Sequence, residues 1–197
     1  MPFDKSFAPT LRFAVMSDIH IDNEDCIEEQ RLAKALSDLG ELCSSDGRYE
    51  GLDALVIVGD FASRGTELQM RKVKKLLDGG LPSGARLIMT MGSHEYMSDG
   101  EENALRRFGE IFSLTPDTHE IINGFDFIAV TTTGGCHFDE KKREFAATEL
   151  EKAAERDGRK PIFFFQHPHI TDTVYGSINW GEDEITDILM NLSLIHI

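Results

Sequence analysis

Four short clusters in this chain combine residue types that could do chemistry together. Met16-Ser17-Asp18-Ile19-His20 sets a carboxylate and an imidazole two residues apart, directly after the apolar run Phe13-Ala14-Val15-Met16. On a strand, positions i and i+2 share a face, so Asp18 and His20 are expected to converge. A carboxylate beside an imidazole suits a divalent transition metal. Gly59-Asp60 follows the run Ala54–Val58. A glycine there lets the backbone turn sharply and aims Asp60 into a crevice, and one carboxylate can bridge two cations. Gly92-Ser93-His94-Glu95 follows Arg86–Thr90; His94 is a candidate proton donor and Glu95 its orienting group. Gln166-His167-Pro168-His169 follows Phe163–Phe165, and His167 is a candidate ligand on a loop stiffened by Pro168. Each cluster alone has an ordinary reading. Asp60 could cap the next helix, His94 could be a surface loop residue, and His167 a hydrogen-bonded core histidine. Four of them in order, each at a strand end, point to a single centre, because open α/β sheets gather their ligands at those ends.

The elements that must position these clusters follow from the hydrophobic pattern. Residues 11–17 read as a strand, and Leu32, Leu36, Leu39 and Leu42 mark a helix within Glu24–Ser44. Ala54–Val58 is a continuous apolar run, as in a strand buried on both faces. Leu68, Val73, Leu76 and Leu77 mark a second helix closed by Gly79-Gly80. Arg86–Thr90 is a third strand, and Ala104, Leu105, Phe108, Ile111 and Phe112 mark a third helix. Asn123-Gly124 between Glu120–Ile122 and Phe125–Val130 predicts a hairpin. A helix over 143–157, a strand over 161–165 and a further helix opening over 182–191 complete the pattern. The plan is an α/β layered domain with mixed strand directions.

The chain has 197 residues, with 41% hydrophobic and 28% charged, which suits a single globular domain over 1–191. A net charge of −15 argues against a surface that tracks duplex nucleic acid or an anionic membrane. It leaves room for a small phosphoester, because bound metal reverses the local field. Cys26, Cys43 and Cys136 form no Cys-x-x-Cys pair and read as free thiols. With no signal-peptide core near Met1 and no apolar run of membrane-spanning length, a cytoplasmic protein is expected. The tail Leu192-Ser193-Leu194-Ile195-His196-Ile197 back-translates to CTG TCT CTT ATA CAC ATC, which resembles a transposon end used in sequencing libraries. Residues 192–197 are set aside as an adapter-derived tail, His196 receives no role, and the domain is expected to be incomplete at its C-terminus.

Taken together, Asp18-x-His20, Gly59-Asp60, Gly92-Ser93-His94-Glu95 and His167 resemble the calcineurin-like metallophosphoesterases over roughly residues 11–170. The resemblance implies two mixed β-sheets sandwiched between helices. It also implies a dinuclear centre of two divalent transition-metal ions (Mn, Fe, Zn or Co) that hydrolyses a phosphomonoester or phosphodiester through a metal-bridging hydroxide. Carried over by position, Asp18 and His20 bind the first metal, Asp60 bridges both, and His167 binds the second. His94 protonates the leaving group or stabilises the transferring phosphoryl, and Glu95 holds His94 in place. His169 is assigned to substrate binding, and the loop Thr131–His137 either lines the substrate mouth or is a plain glycine-rich connection.

Two departures bear on this reading. Ser93 stands where the family has an asparagine whose carbonyl binds the second metal, and a hydroxyl is a poorer, shorter ligand. No Gly-His-x-His, the family's final motif, occurs in the sequence. These departures support an alternative from another class, a non-catalytic binding or scaffold domain with a degenerate metal site. A nucleotide-binding domain finds little support, since the chain has neither a P-loop nor a G-x-G-x-x-G.

Overall fold

A computed structural model describes residues 8–156 and 160–191; the set-aside tail 192–197 lies outside the described residues. The element order is β1 (Phe13–Met16), α1 (Ile27–Ser45), β2 (Ala54–Val58), α2 (Glu67–Gly80), β3 (Arg86–Thr90), a 3-10 turn (His94–Tyr96), α3 (Glu101–Phe112), β4 (Thr118–Ile122), β5 (Phe125–Val130), α4 (Glu140–Arg156), β6 (Ile162–Gln166), α5 (Ser177–Trp180) and α6 (Glu184–Asn191). The strands form two three-stranded sheets, β1-β2-β3 and β4-β5-β6. The first is parallel throughout. The second is mixed, with β4 antiparallel and β6 parallel to β5.

Strand alternation sorts the core into layers. On β2, Leu55 and Ile57 face the helices, packing with Leu36 of α1, Val73 of α2 and Phe108 of α3. Ala54, Val56 and Val58 face the other way, onto Phe127 and Ala129 of the second sheet. Phe13 of β1 packs edge-on against Phe163 of β6, with ring centroids 4.7 Å apart. On the far side Ile128 and Val130 pack with Leu150 of α4 and Leu189 of α6. The result is helix, sheet, sheet, helix, in agreement with the two-sheet α/β architecture expected from the sequence. Every residue of β2 is buried, as its unbroken apolar run requires.

The Asn123-Gly124 turn has φ +51° and +78°, the doubly left-handed geometry of a two-residue hairpin. The helix expected to open at Glu182 starts two residues later. Glu182 lies ahead of it, and its carboxylate accepts from the Ile185 backbone N–H in the first turn. The short helix α5 carries no periodic signal and was not expected. Among the described residues no helix is long and apolar enough to cross a membrane.

Candidate metal centre

The three parallel strands of the first sheet end side by side, and their trailing loops carry the first three clusters. β1 ends at Met16, and beyond it Asp18 and His20 both adopt left-handed backbone, each with φ +54°. The expected same-face alternation of Asp18 and His20 therefore does not apply, because strand geometry has stopped before either residue. The loop after β2 sets its path: the backbone N–H of Asp18, His20 and Ile21 donate to the carbonyls of Gly59, Asp60 and Phe61 at 3.3, 3.0 and 3.0 Å. Asp60 is itself left-handed, with φ +49°. Three of the residues singled out for chemistry thus hold a conformation that non-glycine residues rarely adopt.

Close approach is possible because of two glycines. A Cβ on Gly59 would lie 2.7 Å from both Gly92 N and His167 Nδ1. A Cβ on Gly92 would run into Asp60 Oδ1 and the His167 ring. Any side chain at either position would push His167 or Asp60 out of place.

Asp60 is the hub, with 5% of its surface exposed. Its Oδ1 accepts the His94 backbone N–H at 2.8 Å. Its Oδ2 faces inward, 3.2 Å from His167 Nε2 and 3.9 Å from His94 Nε2, with Ser93 Oγ at 3.5 Å. Each of these two rings is anchored from behind. His167 Nδ1 donates to the Val58 carbonyl at 2.9 Å, and His94 Nδ1 to the Ser63 carbonyl at 2.7 Å. A carbonyl only accepts, so Nδ1 carries the hydrogen in both rings and Nε2 is turned to the centre.

His20 packs edge-on against His94, with ring centroids 4.5 Å apart, and its Nε2 lies 3.7 Å from Asp18 Oδ1. Two sets of potential ligand atoms result, each within 4.8 Å of one another: His20, Asp60 and His94, and Asp18, Asp60 and His167. Asp60 belongs to both sets, and Asp18 and His20, one in each set, are themselves 3.7 Å apart. Their side chains converge as their sequence proximity suggests, though by left-handed turns and not by strand alternation.

The electrostatics follow from this crowding. For His167, burial acts to lower the pKa, but the hydrogen bond and charge of Asp60, with the Val58 carbonyl, raise it to about 9. Burial likewise works against ionised Asp60, yet His167 and the His94 N–H hold its carboxyl below the usual range. Burial pushes Glu95 up to about 7, against the N–H groups of Ala62, Gly92 and Asp60 that hydrogen-bond to it. Burial, and after it the Asp60 charge, raise the Cys136 thiol.

Glu95 does not meet the His94 ring as the sequence suggested. Its carboxylate accepts from the backbone N–H of Asp60, Ala62 and Gly92, and the Ser63 carbonyl holds the ring instead. His169 belongs to neither ligand set; its carbonyl accepts from the Glu182 N–H at 3.0 Å. Sequence reasoning missed Ser63, whose Oγ also donates to the His20 carbonyl at 2.8 Å. It also missed Ser17, which hydrogen-bonds the Asp18 carboxylate. Ser63 acts on His94 through its backbone, so side-chain identity carried no signal for that role. A cavity of about 600 Å³ opens beside Asp18 and His20, walled by Glu28, Arg31 and Leu32 of α1.

The family model for calcineurin-like phosphoesterases matches residues 11–197. The chain belongs to the calcineurin-like phosphoesterase family. No curated protein matches it. Phosphoesterases of this family bind divalent metal, and the donor set at Asp60 fits that requirement: carboxylate oxygens and imidazole Nε2 atoms, gathered at one point and turned inward.

Proposed function

We propose that this phosphoesterase hydrolyses a small phosphomonoester or phosphodiester at a dinuclear centre, with Asp60 shared between two divalent ions. The observation that supports it most is Asp60 standing in both ligand sets, with Oδ2 turned to the Nε2 atoms of His167 and His94 while Oδ1 accepts the His94 N–H. Asp18 and His20, 3.7 Å apart, would hold one ion with Asp60, and His167 the other, with His94 left beside the centre as the acid. Ser93 Oγ stands at the edge of Asp60 as an auxiliary donor. Imidazole and carboxylate donors admit Mn, Fe, Zn or Co. Ions held there supply Lewis-acid activation of water and neutralise charge on the phosphoryl oxygens.

His94 and His167 divide the remaining work by exposure. The His167 side chain is 12% exposed and lies nearer Asp60, which suits a ligand. The His94 side chain is 32% exposed and lies farther from it, which suits a group that meets substrate. With Nδ1 tied to Ser63, His94 delivers a proton from Nε2 to the departing oxygen, a contribution of about 10²–10⁴-fold in rate. His169 and the Thr131–His137 loop are proposed to flank the substrate. A reducing, cytoplasmic setting is part of the proposal, supported by free Cys26, Cys43 and Cys136.

Asp60→Asn tests the reading. Turnover of an aryl phosphate with Mn²⁺ is expected to fall on the order of 10³-fold or more, since both ligand sets lose their shared charge. Retained metal-dependent turnover would sink the proposal. The scaffold reading is favoured by Ser93, a poorer ligand than the asparagine the family places there. Metal analysis of the purified protein separates the two: stoichiometric transition metal supports the enzyme, and its absence the scaffold.

A further inference from the structure

Glu95 is completely buried, yet it is a carboxylate. Its Oε2 accepts the backbone N–H of Asp60 and of Gly92, each at 2.8 Å, and its Oε1 accepts that of Ala62 at 2.9 Å. Its own backbone is covered by Gly65, where a Cβ would overlap the Glu95 carbonyl. The segment from Gly59 to Gly65 is therefore wrapped around this one residue. Asp60, held in left-handed backbone, lies at the start of the wrap.

We propose that Glu95 is a positioning residue for the metal centre: its buried carboxylate fixes the Asp60 backbone and, through it, both ligand sets. The route is continuous. The Asp60 carbonyl accepts the His20 N–H at 3.0 Å, and the Phe61 carbonyl the Ile21 N–H at 3.0 Å, so the loop after β1 follows the loop after β2. Gly92, the third group on Glu95, precedes Ser93 and His94. One side chain thus joins the Gly-Asp loop to the Gly-Ser-His-Glu loop. It does so through backbone amides, whose positions do not depend on the side chains they precede. Where activity is the readout, this inference rests on the phosphoesterase reading; the other two readouts below do not.

The test is Glu95→Gln. A glutamine has the same shape but a single acceptor oxygen, so at least one of the three N–H groups then faces an NH₂ donor. Three quantities are followed: amide hydrogen exchange at Asp60, Ala62 and Gly92 in metal-free protein, Mn²⁺ affinity by calorimetry, and aryl phosphate turnover against Mn²⁺ concentration. In the wild type the three amides are expected to be protected. In Glu95→Gln exchange accelerates at one or more of them, Mn²⁺ affinity falls about 10–100-fold, and excess Mn²⁺ restores most of the turnover. Unchanged Mn²⁺ affinity with only a lower melting temperature would overturn the inference, leaving Glu95 a purely structural residue. Turnover lost at saturating Mn²⁺ with unchanged affinity would also overturn it, in favour of a direct chemical role. Fast exchange of all three amides in the wild type would overturn it without reference to metal. Should Glu95→Gln fail to fold, Glu95→Asp keeps the charge one methylene short of the amides, and the same readouts decide. A wild type that binds Mn²⁺ without turnover counts against the phosphoesterase reading alone, since affinity and exchange still judge Glu95.

Discussion

His119 and His167 both stand against carboxylates, and their neighbourhoods use them in opposite ways. His119 on β4 has Nδ1 2.7 Å from Glu149 of α4 and Nε2 2.6 Å from Asp126 of β5. Both ring nitrogens are engaged by side chains, and each carboxylate has a cation of its own: Arg156 on Asp126, and Lys152 on Glu149 at 2.7 Å. The network is closed. His167 instead anchors Nδ1 on a neutral backbone carbonyl and turns Nε2 to Asp60. Among the described residues no lysine or arginine pairs with Asp18 or Asp60; their ion-pair partners are histidines. One cluster has met its demand for positive charge from within the chain. The other presents the same residue types with that demand open, which is the condition under which a metal ion binds.

The largest expected effect on this contrast is from the closed cluster. His119→Ala leaves Asp126 and Glu149 without the ring between them and separates β4 from α4. A loss of about 3 kcal/mol in urea unfolding is expected from the two hydrogen bonds to charged groups, the carboxylates keeping Arg156 and Lys152. Mn²⁺ affinity should stay at the wild-type value. A variant that loses metal rather than stability would show that the two clusters are one system.

Next in size is the pH response of the open cluster. The His167 pKa is raised from its ordinary 6.5 to about 9, so the stability it contributes is complete below pH 6.5 and is lost as pH rises through 9. In metal-free protein that loss is on the order of 3 kcal/mol. Glu95 acts earlier in the same direction, its contribution falling between pH 4.5 and about 7. Mn²⁺ competes with the His167 proton, so binding below pH 9 should release a proton, and apparent affinity should rise towards that pH. Urea unfolding with chelator across pH 6–10 and calorimetry in buffers of different ionisation enthalpy measure both. A flat profile between pH 6.5 and 9 would mean that Asp60 and His167 are not paired in solution.

The same contrast shows what a sequence displays and what it withholds. The apolar run of β2, the Asn123-Gly124 turn and the leucine spacing of α1 were legible because each is a local pattern with one physical meaning. So was the order of Asp18, His20, Asp60, His94 and His167 along the chain, since parallel strands bring their trailing loops to one end. The backbone geometry that turns those residues toward one another was not legible. It depends on left-handed backbone at Asp18, His20 and Asp60, and that is set by hydrogen bonds between loops 41 and 40 residues apart, Asp18 to Gly59 and His20 to Asp60. Glu95 was misread because an adjacent histidine invites a side-chain partnership, whereas its partners are amides with no residue signature. The His119 cluster gave no sign at all. Its members are separated by 7 and 30 positions, and charged residues on a strand and a helix read as solvated.

The smallest effect is expected at the far end of the Asp60 loop. Thr66 caps α2: its side chain accepts the Gln69 N–H at 3.3 Å, and Gln69 returns its own carbonyl oxygen to the N–H groups of Thr66 and Arg64. Thr66→Ala should cost about 1 kcal/mol, the usual loss for an N-cap. If Glu95 fixes the loop at the Asp60 end, this loosening at the helix end should leave Mn²⁺ affinity unchanged while the unfolding midpoint falls. Gln69 gives the experiment its edge, because its Nε2 also donates to Asp22 at 3.2 Å, two residues beyond His20. A fall in affinity comparable to that of Glu95→Gln would mean the ligand loops are steered from the α2 cap through Gln69 and Asp22. The open cluster would then be supported from two sides, and its geometry would belong to the helix as much as to the strands.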